Sequence, residues 1–569
     1  MRTHTAMPAR RSAIAAAIAC LLAGCVTVPA PAPVAQGPVE VQVLALNDFH
    51  GNLEVPPSTT AFSQDGQVVR QTLGGAARLA ARLDALRQGQ AATVTVAAGD
   101  LIGASPFASA NFLDEPSVMA LGMAGLDVAS VGNHEFDRGT AELRRIQDGG
   151  CEQHTLRTPC ALEPFAGADF TYLAGNVVDT GGRSLFPGAT LRQVGPVKVG
   201  FIGLTLTGTA TLVSPAMTRG YRFTDEADAA NRLARDLTAQ GADTVVLLIH
   251  EGGRVDPTQN LSGCPNLSGP IVPIVERLDP AISLVVSGHT HMSYICRIDG
   301  AGGPPRLLSS AGRYGGFVTD IRLTWDPAAR RVADISAVNV PVNGTLGTRA
   351  DVAALVDRYV TAAEPLAARV VGTVTPSGAA DENCAETPAA NLVADAQLSA
   401  ARSALGEGID AAFINTSGVR TNLDSAADGQ LTYGEIFAMQ PFGNTLQVLE
   451  LTGLELRQAL EEQFCNEGPA TPCSTLLAPS STLTYSYDRN RPQGDRVTAI
   501  RLDGVPINPE ERYQVVFNNF LANGGDGFAS LVQRRTVGEA GVDLDALEAY
   551  LAGGVTIPSC GRLRDLTAL

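Results

Sequence analysis

Histidine is missing from this 569-residue chain beyond His291. That excludes imidazole acid–base chemistry and histidine-held metals from the 278 residues that follow. No two cysteines stand in CxxC spacing, so the ten cysteines do not spell a zinc knuckle. Positive charge is also short. With 41 Lys and Arg against 58 Asp and Glu, the net charge is -17, and the three arginines Arg2, Arg10 and Arg11 lie in the amino-terminal leader. A nucleic-acid binder needs a basic footprint to neutralise phosphates, and none is offered. Nor is there an apolar run long enough for a permanent membrane span, since Ala13 to Leu22 falls well short of the length required.

The histidine that is present is concentrated. Five of the seven fall in a series of short segments, NDFH (Asn47 to His50), GD (Gly99, Asp100), GNHEFD (Gly132 to Asp137), IH (Ile249, His250) and GHTH (Gly288 to His291). Each follows a β-branched apolar run, VEVQVLALN, ATVTVAAG, DVASVG, DTVVLLI or ISLVVSG, that reads as a strand buried on both faces. In an α/β sheet this places the donors at the carboxyl ends of neighbouring strands, where ligands bind. Within Asp48-Phe49-His50 and His289-Thr290-His291 an extended backbone is expected to point both donors to one side. Gly99, Gly132 and Gly288 suit tight turns and close backbone approach.

Asp48, His50, Asp100, Asn133, His250, His289 and His291 are too many donors for one tetrahedral ion. Two ions sharing a carboxylate fit the set better, and such a pair clamps phosphoryl oxygens while activating a water.

The order DxH, GD, GNHE, H, GHxH resembles the calcineurin-like binuclear metallophosphatases, and GNHEFD is similar to the form found in the 5'-nucleotidase family. The resemblance implies one ion on Asp48, His50, Asp100 and His291 and a second on Asp100, Asn133, His250 and His289. It further implies that His134 assists the transferring phosphoryl group or leaving oxygen, with Asp137 orienting it. Zinc, manganese or a similar divalent metal suits these donors.

Residues 350–371 read as a helix after the break PVNGTLGT, and a fresh α/β pattern begins near Thr373. The segments INTSGVR, PFGN and NNFLANGGDGF resemble the family's carboxy-terminal domain. They match its substrate contacts at Asn415 and Arg420, its two base-stacking aromatics at Phe442 and Phe520, and a sugar-contacting carboxylate at Asp526. Two features depart from the family. DENCAETPAANL lacks the usual arginines before the first helix, and Thr416 and Ser417 break the triple glycine. Both touch the substrate end rather than the metals.

The expected fold is therefore α/β, a four-layer metallophosphatase sandwich over residues 40–345, a linker helix and hinge over 346–371, and a second α/β domain over 372–569. Residues 1–24 read as an export signal, because Leu22-Ala23-Gly24-Cys25 resembles a bacterial lipobox, and 25–39 as a Pro/Ala-rich tether. Lipidation of Cys25 is expected to hold the chain on the far side of a bacterial membrane. The eight remaining cysteines suit disulfides in an exported protein: local pairing of Cys151 with Cys160 and of Cys465 with Cys473 leaves Cys264 with Cys296 and Cys384 with Cys560.

The function implied is an extracytoplasmic phosphohydrolase acting on nucleotides. The alternatives are a 2',3'-cyclic-nucleotide phosphodiesterase, a nucleotide-sugar hydrolase, a sulfur-ester hydrolase on the same scaffold, or a surface lipoprotein that only binds. The partners expected are a nucleotide or other phosphoester and a membrane, with no nucleic acid, and no protein partner is evident.

Overall fold

A computed structural model describes residues 37–567 apart from 65–66, 156, 215, 257, 299–305, 376–384, 424–428 and 465–474. The export signal, most of the tether and Cys25 lie outside the described residues. No helix among those described is long and apolar enough to cross a membrane.

Two six-stranded sheets face each other. In the first, Val39–Leu46 pairs in parallel with Thr93–Ala98, which pairs with Val128–Ser130, and antiparallel with Phe317–Asp326. In the second, Ile282–Ser287, Thr244–His250 and Val197–Thr205 run parallel side by side. Strand side chains alternate between faces. Val43 and Ala45 thus meet Phe201, Val246 and Val286 between the sheets. Leu44 and Leu46 face outward, in one cluster with Leu79, Leu83 and Val118 on helices Ala76–Arg87 and Glu115–Met123. On the far side, Leu247 and Ile249 pack with Ala230, Ala234 and Leu237 of helix Glu226–Ala239. The result is the four-layer sandwich the sequence implied.

The run after the sandwich is not one helix to Val371. The helix is Ala350–Ala367, and Val370–Thr375 is a strand pairing with Gln430–Thr432 and Val555–Thr556. A short apolar run is ambiguous by periodicity alone, and the β-branched VVGTV segment joins the sheet. The helix packs on Ala76–Arg87, Phe107–Ala110 and Glu115–Met123, burying Leu355, Val356 and Tyr359.

In the second domain a five-stranded sheet orders Leu477–Pro479, Ala411–Asn415, Arg512–Asn518, Thr445–Thr452 and Arg535–Val542. Thr387 caps helix Pro388–Leu405, which packs on this sheet. The domains meet at an apolar seam. The ring of Phe107 lies 5.5 Å from Tyr433 and 5.1 Å from Phe437, edge to face, and one hydrophobic cluster runs from Leu44 through Phe107 to Phe437 and Leu547.

Disulfides join Cys151 to Cys160 and Cys264 to Cys296, as expected. Cys560 is also disulfide-bonded. Cys384, Cys465 and Cys473 lie outside the described residues, so the two remaining pairings do too.

Candidate active site

Every donor segment hangs from the carboxyl end of a strand. Asp48 and His50 follow Val39–Leu46, Asp100 follows Thr93–Ala98 and Asn133 follows Val128–Ser130. From the second sheet, His250 ends its own strand, and His289 and His291 follow Ile282–Ser287. The two sheets thus bring their edges to one point. There the ligand atoms of Asp48, His50 and His291 lie within 4.8 Å of one another, as do those of Asp100, His250 and His289. Asn133 Oδ1 stands 3.1 Å from His289 Nδ1, and His50 Nε2 stands 3.6 Å from Asp100 Oδ2.

The backbone is not extended at these donors, contrary to the sequence expectation. Asp48, His50, Asp100, His289 and His291 all have positive φ, between 46° and 70°. This left-handed region costs a non-glycine residue on the order of 1–3 kcal/mol where it is strained, and Asp and His tolerate it better than most. It is held by the structure around it. His289 N–H donates to both oxygens of Asp48, Tyr314 N–H donates to Asp48 O at 2.7 Å, and His50 N–H donates to Asp100 O at 3.0 Å. Gly132 must be glycine, because a Cβ there would sit 2.1 Å from Asp100 Oδ1.

Two further residues inside the motifs hold the site together, and neither is marked by the donor pattern. Glu135, the acid of GNHE, accepts from the N–H groups of Asp100, Leu101 and Gly132, tying two donor loops together. Burial and the charge of Asp100 push its pKa up to about 7. Asn47 donates to Asp48 Oδ2 at 2.6 Å and to Gly312 O at 2.8 Å, and accepts from Ala311 N–H.

The tautomers suit cation binding. A carbonyl oxygen can only accept, so His50 Nδ1 donates to Gly103 O at 2.9 Å and His250 Nδ1 to Ala98 O at 2.7 Å. That turns both Nε2 atoms inward, the arrangement that orients metal-ligating histidines. His50 Nε2 lies only 3.1 Å from His291 Nε2. His250 Nε2 lies 2.9 Å from Asp100 Oδ2 without hydrogen-bond alignment, leaving a buried nitrogen with no partner. Burial keeps His50 and His289 neutral, with pKa values of about 3. At His250 burial is outweighed by the Asp100 carboxylate, which raises the imidazole to about 10, so an ion bound there would displace a proton. The convergent imidazoles and carboxylates fit two divalent ions, and these would polarise phosphoryl oxygens and activate water.

His134 points elsewhere. Its N–H donates to Asp100 Oδ1 at 2.9 Å, while its ring Nδ1 meets Asp137 Oδ2 at 2.8 Å. Burial opposes the imidazolium, but the Asp137 and Asp100 carboxylates outweigh it and raise the pKa. The ring lies nearly parallel to Phe442, centroids 6.0 Å apart.

A cavity of about 800 Å³ joins this centre to the second domain. Asp100, Asn133, His134, Asp137, His289 and His291 line it, opposite Asn415, Arg420, Phe442, Phe520 and Asp526. Asp48, His50 and His250 lie beneath. All five substrate-end residues named from sequence therefore share one space with four of the seven candidate donors. Asp526 accepts from Asn415 Nδ2 at 2.9 Å and from Ser417 Oγ at 2.8 Å. Thr416 Oγ1 accepts from Leu476 N–H, so both residues that break the triple glycine are structurally tied.

Comparison with known proteins matches residues 41–293 to the calcineurin-like phosphoesterase domain and residues 370–533 to the 5'-nucleotidase carboxy-terminal domain. The chain belongs to the 5'-nucleotidase family of calcineurin-like metallophosphoesterases. It is 29% identical over 547 residues to a cell wall protein of Listeria monocytogenes, a match covering 90% of this chain and 67% of that one. It is 29% identical over 491 residues to an endonuclease of Bacillus subtilis, covering 85% of this chain but 37% of that protein. A 5'-nucleotidase precursor of Thermus thermophilus superposes with a TM-score of 0.74 at 23% identity, covering 93% of this chain and all of that one, and so shares the fold.

Proposed function

We propose that this chain is an exported, lipid-anchored phosphohydrolase that releases phosphate from nucleotides. The reading rests on one observation above all: two adjacent clusters of His and carboxylate donors lie at or beneath one cavity, which the hydrogen-bonded His134–Asp137 pair and the Phe442, Phe520 and Asp526 wall also line. Two divalent ions, zinc, manganese or similar, would be held by Asp48, His50, Asp100 and His291 and by Asp100, Asn133, His250 and His289. They supply the charge that binds phosphoryl oxygens and the lowered pKa of an attacking water.

The chain's own residues do the rest. His134, its tautomer set by Asp137 and its pKa raised, hands a proton to the leaving oxygen. Arg420 brings positive charge beside His134 and His291, where it attracts the phosphate. Phe442 and Phe520 bracket the base, and Asp526, with Asn415, accepts from sugar hydroxyls. Cys25, beyond the described residues, carries the lipid on the periplasmic face of a bacterial membrane or at the cell surface.

Phosphate release from a panel of mono-, di-, cyclic and sugar nucleotides, with divalent metal added, tests the reading. Release is expected from nucleoside monophosphates. Activity confined to cyclic nucleotides, nucleotide sugars or nucleic acid would overturn it in favour of that substrate, and no release from any would leave a binding protein.

A further inference from the structure

The segment between strand Thr93–Ala98 and helix Glu115–Met123 starts with Asp100 and then meets the site again at Gly103. The Gly103 carbonyl is the acceptor that fixes the tautomer of His50, 2.9 Å from its Nδ1. Gly103 has a φ of +81°, and a Cβ there would stand 2.5 Å from His134 O and 2.7 Å from Asp137 Oδ2. It is thus wedged between a metal donor and the His134–Asp137 pair. The rings of His50 and His134 themselves lie 5.2 Å apart, edge to face.

At the far end of the segment, Asp114 reaches back to Gly103. This carboxylate is fully buried and belongs to neither donor cluster. Its Oδ2 accepts from Gly103 N–H at 3.3 Å and from Arg138 Nη1 at 2.6 Å. Its Oδ1 accepts from Ser109 Oγ at 2.6 Å. A carboxylate only accepts, so the Ser109 hydroxyl proton is engaged there and Ser117 Oγ, 2.6 Å away, donates to Ser109. Burial opposes the charge of Asp114, but Arg138 and Ser109 outweigh it and hold the carboxyl below its ordinary range. The short turn His134–Phe136 ends at Asp137, and Arg138 is the next residue. One oxygen of Asp114 therefore ties the peptide that holds His50 to the residue that anchors the loop of His134 and Asp137.

We propose, resting on the two-ion phosphohydrolase reading above, that Asp114 is a positioning residue for both halves of the site. Through Gly103 it keeps His50 Nε2 turned inward, and through Arg138 it holds the His134–Asp137 pair against the donors. It touches neither ion nor substrate, and acts only through these two arms.

The test titrates manganese into the metal-stripped chain by calorimetry and then follows phosphate release from a nucleoside monophosphate at saturating metal. Asp114→Asn should weaken one of the two ions by roughly tenfold or more, the scale on which groups behind a ligand act, and should lower kcat with KM unchanged. Arg138→Met should lower kcat, and Arg138→Lys, which returns a cation to Asp114, should recover most of it. Arg138 is partly exposed, so these two variants test the second arm even where Asp114→Asn does not fold. Ser117→Ala removes a buried bond from the same cluster without touching Gly103 or Arg138, and serves as the control for lost stability alone. Ion affinities and kcat that move no further in the Asp114 and Arg138 variants than in Ser117→Ala would overturn the proposal. Ion binding is read without turnover, which separates the two readings. Weakened binding in Asp114→Asn with no phosphate release from the unaltered chain refutes the phosphohydrolase and keeps the hold on His50, whereas release with undisturbed affinities and kcat in every variant does the reverse.

Discussion

Asn133 and His134 are neighbours whose side chains face different partners. The amide of Asn133 faces His289, and the imidazole of His134 turns to Asp137. His134→Asn should therefore keep its metal content by elemental analysis while turnover falls about 10²–10⁴-fold, the usual size of a general-acid contribution. Loss of metal together with activity would make His134 a ligand. At this scale the sequence was informative wherever a residue's type limits its chemistry: the seven candidate donors, His134 and Asp137 could be named one by one, and the structure brings them together. Asn47 and Glu135 escaped because their work is to hold loops by hydrogen bonds to backbone amides 34 or more residues away, and no local pattern records that.

Among elements, strand ends were legible because a buried strand is a nearly continuous apolar run, and the donors follow it at once. The sign of φ was not. Hydrophobic pattern carries no trace of the left-handed turns at Asp48, His50, His289 and His291, although Asp and His are residue types enriched there. The helix Asp543–Leu551 offers a test independent of the metals. Asp543 at its start is buried, its N–H donates to Asn444 O at 2.8 Å, and Asn444 lines the cavity. Burial pushes its pKa up to about 7 against the Leu544 N–H and Asn444. A carboxyl raised on folding binds its proton more tightly in the native state. Its stabilising contribution is thus complete below the unfolded pKa and is lost as pH rises toward 7. Asp543→Asn should remove that loss, so the melting temperature of the variant relative to the unaltered chain should climb between pH 4 and 8. A difference that stays flat with pH would show that Asp543 ionises normally.

In the whole molecule, the candidate metal donors and the candidate substrate contacts come from different domains and line one cavity between them. Both domains were readable from their own motifs. The seam was not, because Phe107 meets Phe437 only after the chain has folded across more than three hundred residues. Phe520→Ala should raise KM for a nucleoside monophosphate by the equivalent of about 1–3 kcal/mol of lost stacking. It should leave a small base-free phosphate ester far less affected, since that substrate needs only the metal centre. Equal effects on both would assign Phe520 to packing.

The central claim is that two ions bridged by Asp100 carry out phosphoester hydrolysis. It is tested most directly by stripping the chain of metal, returning a divalent ion in measured equivalents and following phosphate release from a nucleoside monophosphate. Activity should saturate at two ions per chain, and Asp100→Ala should bind neither ion tightly and release no phosphate. Full activity at one equivalent, or two tightly held ions in Asp100→Ala, would contradict the account.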